Sequence, residues 1–260
     1  MTDAVLRSTD NGVLSVTLNR PEKRNALTGE MYGLISDALD HAAKDKAVRV
    51  AVLKGAGENF TAGNDLAGFA DAAGAGPASK DSPVRRLMET MIDFEKPLVA
   101  AVRGPAVGIG TTMLLHCDLV IAARDATFAM PFTRLGVVPE FASSLLLPMI
   151  GGRVRASHTL LLGEAFDVDW ARDLGLVSEV CDNASLDEVV RARAATLAGL
   201  PPRSLRETKR LLNPPELRKR MRAVILEEGK AFEQGLQSDE HKEAVKAFFE
   251  KRKPDFSQFS

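Results

Sequence analysis

An α/β fold built on a largely parallel sheet is what this 260-residue sequence predicts, and three observations predict it. Short apolar or alternating runs trade places with stretches of helical period in the first half of the chain. A glycine-bearing loop follows each of two strand-like runs, and beyond residue 151 strand signals thin out while helical periods dominate. Strand, loop, helix, strand is the rhythm of a parallel sheet covered by helices. Ligands on such sheets gather at the loops beyond the strand C-terminal ends.

Each element has its own reason. Leu14, Val16 and Leu18 alternate with Ser15 and Thr17, the period of a strand with one buried face, and Pro21 closes the run. Thr28 is placed to cap a helix in which Met31, Leu34, Ile35, Ala38, Leu39 and Ala42 form an apolar stripe opposite Glu30, Ser36, Asp37 and Lys44. A strand over 48–53 leads into the loop FTAGNDL (60–66), and another over 98–102 leads into GPAVGIG (104–110). Residues 68–83 are small, polar and broken by Gly and Pro, the composition of a mobile surface loop. The last strand signal is 176–180. Helical periods run over 154–162, 186–197, 205–212, 217–232 and 240–249, with breaks at Pro201, Pro202, Pro214 and Pro215. The resulting division is a sheet-bearing core over 1–200 and a helical region over 201–260.

Composition narrows the function classes. A chain that is 45% hydrophobic buries a substantial core, and 5% aromatic residues with a net charge of -1 argue against a stacking platform or basic field for nucleic acid. Basic clusters near Arg20 to Arg24, Arg203 to Arg210, Arg218 to Arg222 and Lys251 to Lys253 can each meet a phosphate or simply be solvated. Two cysteines, Cys117 and Cys181, and no hydrophobic signal region point to a reducing, cytoplasmic setting without membrane contact. None of the four histidines has metal-ligand spacing with another. Ser143 and Ser144 lack the G-x-S-x-G context of a nucleophile.

Three features bear chemistry. Glycines in the two loops let bare backbone N–H groups approach a ligand, and two such groups converging on one oxygen make an oxyanion hole. Glu140 is flanked by Val137, Val138, Pro139, Phe141 and Ala142, so its carboxyl is expected in a poorly hydrated place where its basicity rises. Each feature alone has a plainer explanation. GPAVGIG also suits a tight turn packing a helix on a sheet, FTAGNDL a turn with Asn64 left-handed and Asp65 capping a helix, and Glu140 a surface carboxylate.

Taken together, NRPEKRNAL from Asn19, FTAGNDL, KPLVAAVRGPAVGIG, CDLVIAARDATFAMPFTRLGVVPE, PPRSLRETKRLL and FFEKRK resemble, in order and spacing, the crotonase or enoyl-CoA hydratase/isomerase superfamily. The resemblance covers nearly the whole chain. It implies a spiral of ββα units with two nearly perpendicular sheets, a C-terminal helical trimerisation region, and a homotrimer or dimer of trimers. It also implies an acyl-CoA substrate whose thioester oxygen lies between the backbone N–H groups of Asn64 and Ile109. The CoA moiety is part of the substrate, and no separate cofactor is implied. Binding positions carried over are Lys23, Arg24 and Ala26, then Ala62, Gly63, Asn64, Asp65 and Leu66 along the first loop. Lys251, on the last helix, is implied to reach a phosphate of its own or a neighbouring subunit.

Departures within the resemblance direct the chemistry. Hydratases of the superfamily carry two glutamates where this chain has Thr112 and Phe132, so ordinary hydration lacks its usual groups. Glu140 occupies the place of the base in peroxisomal-type isomerases that move a 3-enoyl-CoA double bond to position 2. Phe141 stands where that subgroup commonly has glycine. The readings implied are a 3-enoyl-CoA to 2-enoyl-CoA isomerase, a hydratase or a ring-opening acyl-CoA isomerase of the same family, and, from another class, a non-catalytic acyl-CoA-binding module.

Overall fold

The computed structural model describes residues 3–65, 79 and 82–259. Strands β1 (Val5–Asp10), β2 (Val13–Leu18), β3 (Val50–Gly55), β4 (Leu98–Val102), β6 (Leu119–Ala123) and β9 (Glu179–Cys181) form one sheet in the order β1-β2-β3-β4-β6-β9. The β1–β2 hairpin is antiparallel and the other pairings are parallel. A second sheet holds β5 (Pro105–Val107), β7 (Thr127–Ala129) and β8 (Ala165–Asp167) in the order β5-β7-β8.

The sheets are linked by a repeated step. After β4 the chain turns at Arg103 and Gly104 into β5, and after β6 it turns into β7. The same step follows β3, where Thr61 pairs with Ala106 through an isolated bridge beside β5. Stacking of these steps makes a spiral, as the resemblance implies. It also brings the loops after β3 and β4 side by side at the strand C-terminal ends.

The parallel strands are buried on both faces, as helices on both sides require. One face, including Leu53, Ala100 and Val102, packs on α1 (Gly29–Lys44) and α2 (Pro83–Asp93) through Met31, Ile35, Leu39, Leu87 and Met91. The other face, with Val50, Val52, Val99, Ala101 and Ile121, is covered by Leu186, Val190 and Ala194 of α7 (Leu186–Gly199). Between lie α3 (Ile109–Thr112), α4 (Ser143–Gly151), α5 (Arg153–Leu162) and α6 (Val168–Asp173). The chain ends in α8 (Pro202–Leu212), α9 (Pro215–Leu236) and α10 (Asp239–Phe249). Met221 and Ile225 of α9 join the main core, and Phe232 joins a third cluster with Met130, Phe132 and Leu147.

Several expectations shift. The strand expected over 48–53 is Val50–Gly55, because the Val48 N–H is spent on Asp45 O at 3.2 Å. The one expected over 176–180 is Glu179–Cys181, with Leu176 and Val177 turned back onto Ala171 O. Ser36 was placed on the polar face of α1 but is buried, its hydroxyl donating to Tyr32 O at 2.8 Å. Thr28 caps α1 by accepting from the Met31 N–H. Most of the expected surface loop over 68–83 lies outside the described residues. Both cysteines are free thiols, and no described helix is long and apolar enough to cross a membrane.

Candidate active site

The first loop is held by a clasp from the segment after β2. Arg24 and Asn25 take left-handed backbone at φ 51° and 54°. The Asn25 side chain, fully buried, accepts from Arg20 N and donates to Ala56 O and Asn59 O at 2.9, 2.9 and 2.7 Å. With the turn fixed, Ala62 N donates to Arg24 O, Leu27 N to Gly63 O, and Asp65 N to Leu27 O, at 2.8–2.9 Å. Arg20 ties the ends together, bonding Ala26 O at 2.7 Å and the Asp65 carboxylate at 2.9 Å. Lys23 lies exposed in the 3-10 turn Pro21–Lys23 that opens the clasp.

Glycine is required where the loops meet. Gly63 has φ 87°, and a Cβ there would lie 2.7 Å from Val107 O. Gly108 has φ 56° and ψ -120° as the residue before α3, a combination that only glycine holds without strain. Thr61 N donates to Pro105 O at 3.0 Å and Val107 N to Thr61 O at 3.1 Å, a two-rung ladder between the loops. Just past the ladder come Asn64 and Ile109, whose N–H groups have no hydrogen-bond acceptor among the described residues.

Glu140 lies between a 3-10 turn, Thr133–Leu135, and α4, and is 2% exposed. One carboxyl oxygen accepts from Thr112 Oγ1 at 3.0 Å. Thr112 ends α3, the helix that Ile109 begins, so one short helix presents both the Ile109 N–H and the donor to the carboxylate. Burial pushes the Glu140 carboxyl up to about 8; the Thr112 hydroxyl opposes this and the Glu228 carboxylate adds to it. Tyr32, the sole tyrosine, donates its hydroxyl to Asn64 Oδ1. Its pKa is raised by burial and then by the negative charge of Glu140, so Asn64, Tyr32 and Glu140 share one neighbourhood.

The structure thus brings Arg24, Ala26, Ala62, Gly63, Asn64 and Asp65 together by direct hydrogen bonding of the clasp, its loop and Arg20. Ile109 and Glu140 are joined through α3. Lys251 is not on the last helix: it follows the helix in a left-handed turn at φ 54° and is exposed, its N–H bonded to Phe248 O. Leu66 lies outside the described residues. Sequence reasoning missed Tyr32, which stood unremarked beside the apolar stripe of α1, and Glu228, whose position in a charged helix carries no local signal. Phe132 is buried and meets Phe232 edge-on with centroids 6.5 Å apart. Among the described residues no group of three or more His, Cys, Asp or Glu is placed to hold a metal ion.

The chain is similar to known proteins over nearly its whole length. The family model described as Enoyl-CoA hydratase/isomerase matches residues 8–259. Enoyl-CoA delta isomerase 2 of Rattus norvegicus is 40% identical over 253 residues, which is 96% of this chain and 64% of that protein. The 1,2-epoxyphenylacetyl-CoA isomerase of Escherichia coli K12 is 34% identical over 261 residues, 99% of each chain. A crystal structure of an enoyl-CoA hydratase/isomerase from Pseudoalteromonas atlantica T6c superposes with TM-score 0.92 at 41% identity, covering 98% of this chain and 100% of that one. With its two glycine loops, its buried glutamate and a match that spans nearly its whole length, the chain belongs to the enoyl-CoA hydratase/isomerase family of enzymes.

Proposed function

We propose that the chain is an acyl-CoA double-bond isomerase converting 3-enoyl-CoA to 2-enoyl-CoA, with Glu140 as the only acid–base group. The carboxylate removes a proton from C2. The electron pair moves onto the thioester oxygen, which the Asn64 and Ile109 N–H groups hold as an enolate. As the carbonyl re-forms, the double bond shifts to C2–C3 and the Glu140 carboxyl returns the proton at C4. The products balance with no water and no oxidant.

The observation that carries this reading is a buried carboxyl with a pKa near 8 whose one hydroxyl donor, Thr112, comes from the helix that begins at Ile109. Such a pKa suits a base at neutral pH, where thiolester C2 protons must be taken by a group neither too weak nor permanently protonated. Hydration is disfavoured, since it needs a second carboxyl to share taking a proton from water and delivering one to the enolate, and Thr112 spends its hydroxyl on Glu140. The segments around Lys23 to Ala26 and Ala62 to Asp65 would receive the CoA nucleotide, with Lys251 at a phosphate. Exposed Met149, Ile150, Val154, Leu161 and Leu162 on α4 and α5 suit burial in a homotrimer or dimer of trimers.

The test is turnover of 3-hexenoyl-CoA followed by appearance of the conjugated thioester, with crotonyl-CoA hydration measured under matched conditions. Faster hydration overturns the proposal. The full-length similarity to 1,2-epoxyphenylacetyl-CoA isomerase supports a second reading, a ring-opening acyl-CoA isomerase using the same base. A preference in kcat/KM for the epoxide over 3-hexenoyl-CoA selects it.

A further inference from the structure

The turn that follows Glu140 is hydrogen-bonded by a residue from far along the chain. Phe141 and Ala142, immediately after Glu140, are consecutive left-handed residues at φ 58° and 57°, and neither is glycine. Each such residue costs roughly 1–2 kcal/mol, so the turn persists only where its surroundings impose it. Those surroundings are specific. The Phe141 carbonyl accepts from His116 Nε2 at 2.9 Å while the two rings stack at 3.9 Å. Ala142 N donates to Glu228 Oε2 at 2.7 Å, and Ser144 donates through both N and Oγ to Glu228 Oε1, at 3.0 and 2.5 Å. Ser143 closes the turn on Glu140's own carbonyl through Oγ at 2.6 Å.

Glu228 belongs to α9 and is 7% exposed. Helix α4 has Ala142 at its N-cap, whose methyl side chain cannot accept from the first N–H groups. Glu228 supplies that cap from a distant part of the chain: one carboxylate oxygen takes the N-cap N–H and the other takes the N–H two residues on. A buried carboxylate is costly, and among the described residues the donors that this one meets belong to the turn carrying Glu140 or to the first turn of α4.

We propose that Glu228 is the positioning residue of Glu140, gripping the left-handed Phe141–Ala142 turn from which the catalytic carboxyl projects toward Thr112. This rests on the reading of Glu140 as the base. Glu140 faces Thr112, Tyr32 and the Glu228 charge. Glu228, its own carboxyl pushed up to about 7 by burial and so ionised over the range in which Glu140 titrates near 8, faces Ser144, the Ala142 N–H and the Glu227 charge, and His116, held neutral by burial with a pKa lowered to about 4, faces Lys209.

Glu228→Gln keeps shape but sets an NH₂ against one of the N–H donors. With 3-hexenoyl-CoA it is expected to lower kcat by about tenfold or more with KM within about twofold, since substrate binding groups are untouched. Its kcat-pH profile is expected to have the acid limb moved to lower pH, because a negative charge beside Glu140 is gone. Adding Ala142→Gly removes the left-handed cost and should recover most of the lost kcat. Wild-type kcat in Glu228→Gln, or a loss that Ala142→Gly does not relieve, overturns the proposal. Glu140→Gln measured alongside separates the two readings: if it is inactive while Glu228→Gln is normal, only positioning fails, whereas if it retains turnover, the base assignment itself fails. Should Glu228→Gln not accumulate folded, Ser144→Ala carries the test. It removes one donor and is expected to lower kcat about threefold, and unchanged kcat overturns the proposal.

Discussion

The two glycine loops and the turn at Glu140 are neighbours in the site but are built in opposite ways. The loops meet each other through backbone, the Thr61–Val107 ladder and positive φ carried by glycines at 63, 104 and 108, with the Asn25 and Arg20 side chains clasping the outer side of the first. The turn is held by side chains, His116 and Glu228, that impose positive φ on two residues disfavouring it. A backbone-built region is fixed by where glycines fall in the sequence. A side-chain-built one depends on residues 25 to 86 positions away, and can be retuned by changing them.

The largest expected effect breaks the backbone-built side. Gly63→Val places a Cβ 2.7 Å from Val107 O at φ 87°, so the loop must move and take the Asn64 N–H with it. Loss of one oxyanion donor costs about a hundred- to a thousandfold in kcat. Near-normal turnover in a folded Gly63→Val protein would remove Asn64 N–H from the oxyanion hole.

Next is the chemistry of the turn. Glu140→Gln is expected to lower kcat by at least about a hundredfold while acyl-CoA binding stays nearly intact, as isothermal titration with a non-isomerisable analogue would show. The same variant has a stability signature. The Glu140 carboxyl is raised to about 8 in the folded chain, so its contribution favours folding below its ordinary pKa and is lost as pH rises through about 8. Glu140→Gln should therefore raise Tm relative to the parent more at about pH 9 than at about pH 5. An equal Tm difference at both pH values would mean that Glu140 titrates near its ordinary value.

Legibility follows the same division. The strand over 98–102, the cap at Thr28 and the two loops were readable because their determinants are local: period, a capping hydroxyl, glycines. Strands β5, β7 and β8 went unread because each has three residues, too few for a period to show. Glu140 was recognisable from its apolar neighbours, and burial did raise its basicity. Phe141, which stands where the resembled subgroup commonly has glycine, is a left-handed residue whose ring is turned onto His116. Neither Glu228 nor His116 could be assigned to that turn, because hydrogen bonds between residues so far apart leave no local pattern.

A smaller effect sharpens the electrostatics of the turn. The Thr112 hydroxyl stabilises the charged form of Glu140. Thr112→Val removes that donor while keeping the shape of the side chain, so the Glu140 pKa should rise further and the acid limb of the kcat profile should move to higher pH, opposite to the direction expected for Glu228→Gln. At neutral pH turnover should fall by several fold, about what the loss of one hydrogen bond to a charged group gives, and should recover toward the parent value at alkaline pH. A profile that keeps its midpoint would show that Thr112 does not act on the ionisation of Glu140.

The smallest expected effect separates side chain from backbone at the first loop. Tyr32 donates its hydroxyl to the Asn64 side chain, yet the proposed oxyanion contact is made by the Asn64 backbone N–H. Tyr32→Phe and Asn64→Ala should therefore each lower kcat by less than about tenfold, the scale of one ordinary hydrogen bond. Because the two side chains act through one bond, the double variant should be no worse than the poorer single one, a non-additive cycle. Tyr32 also lies within reach of the Glu140 charge, which gives the experiment a second edge. If Tyr32→Phe proves as damaging as Glu140→Gln, the hydroxyl is taking part in proton transfer, and the isomerase mechanism needs two acid–base groups where this one assigns a single carboxyl.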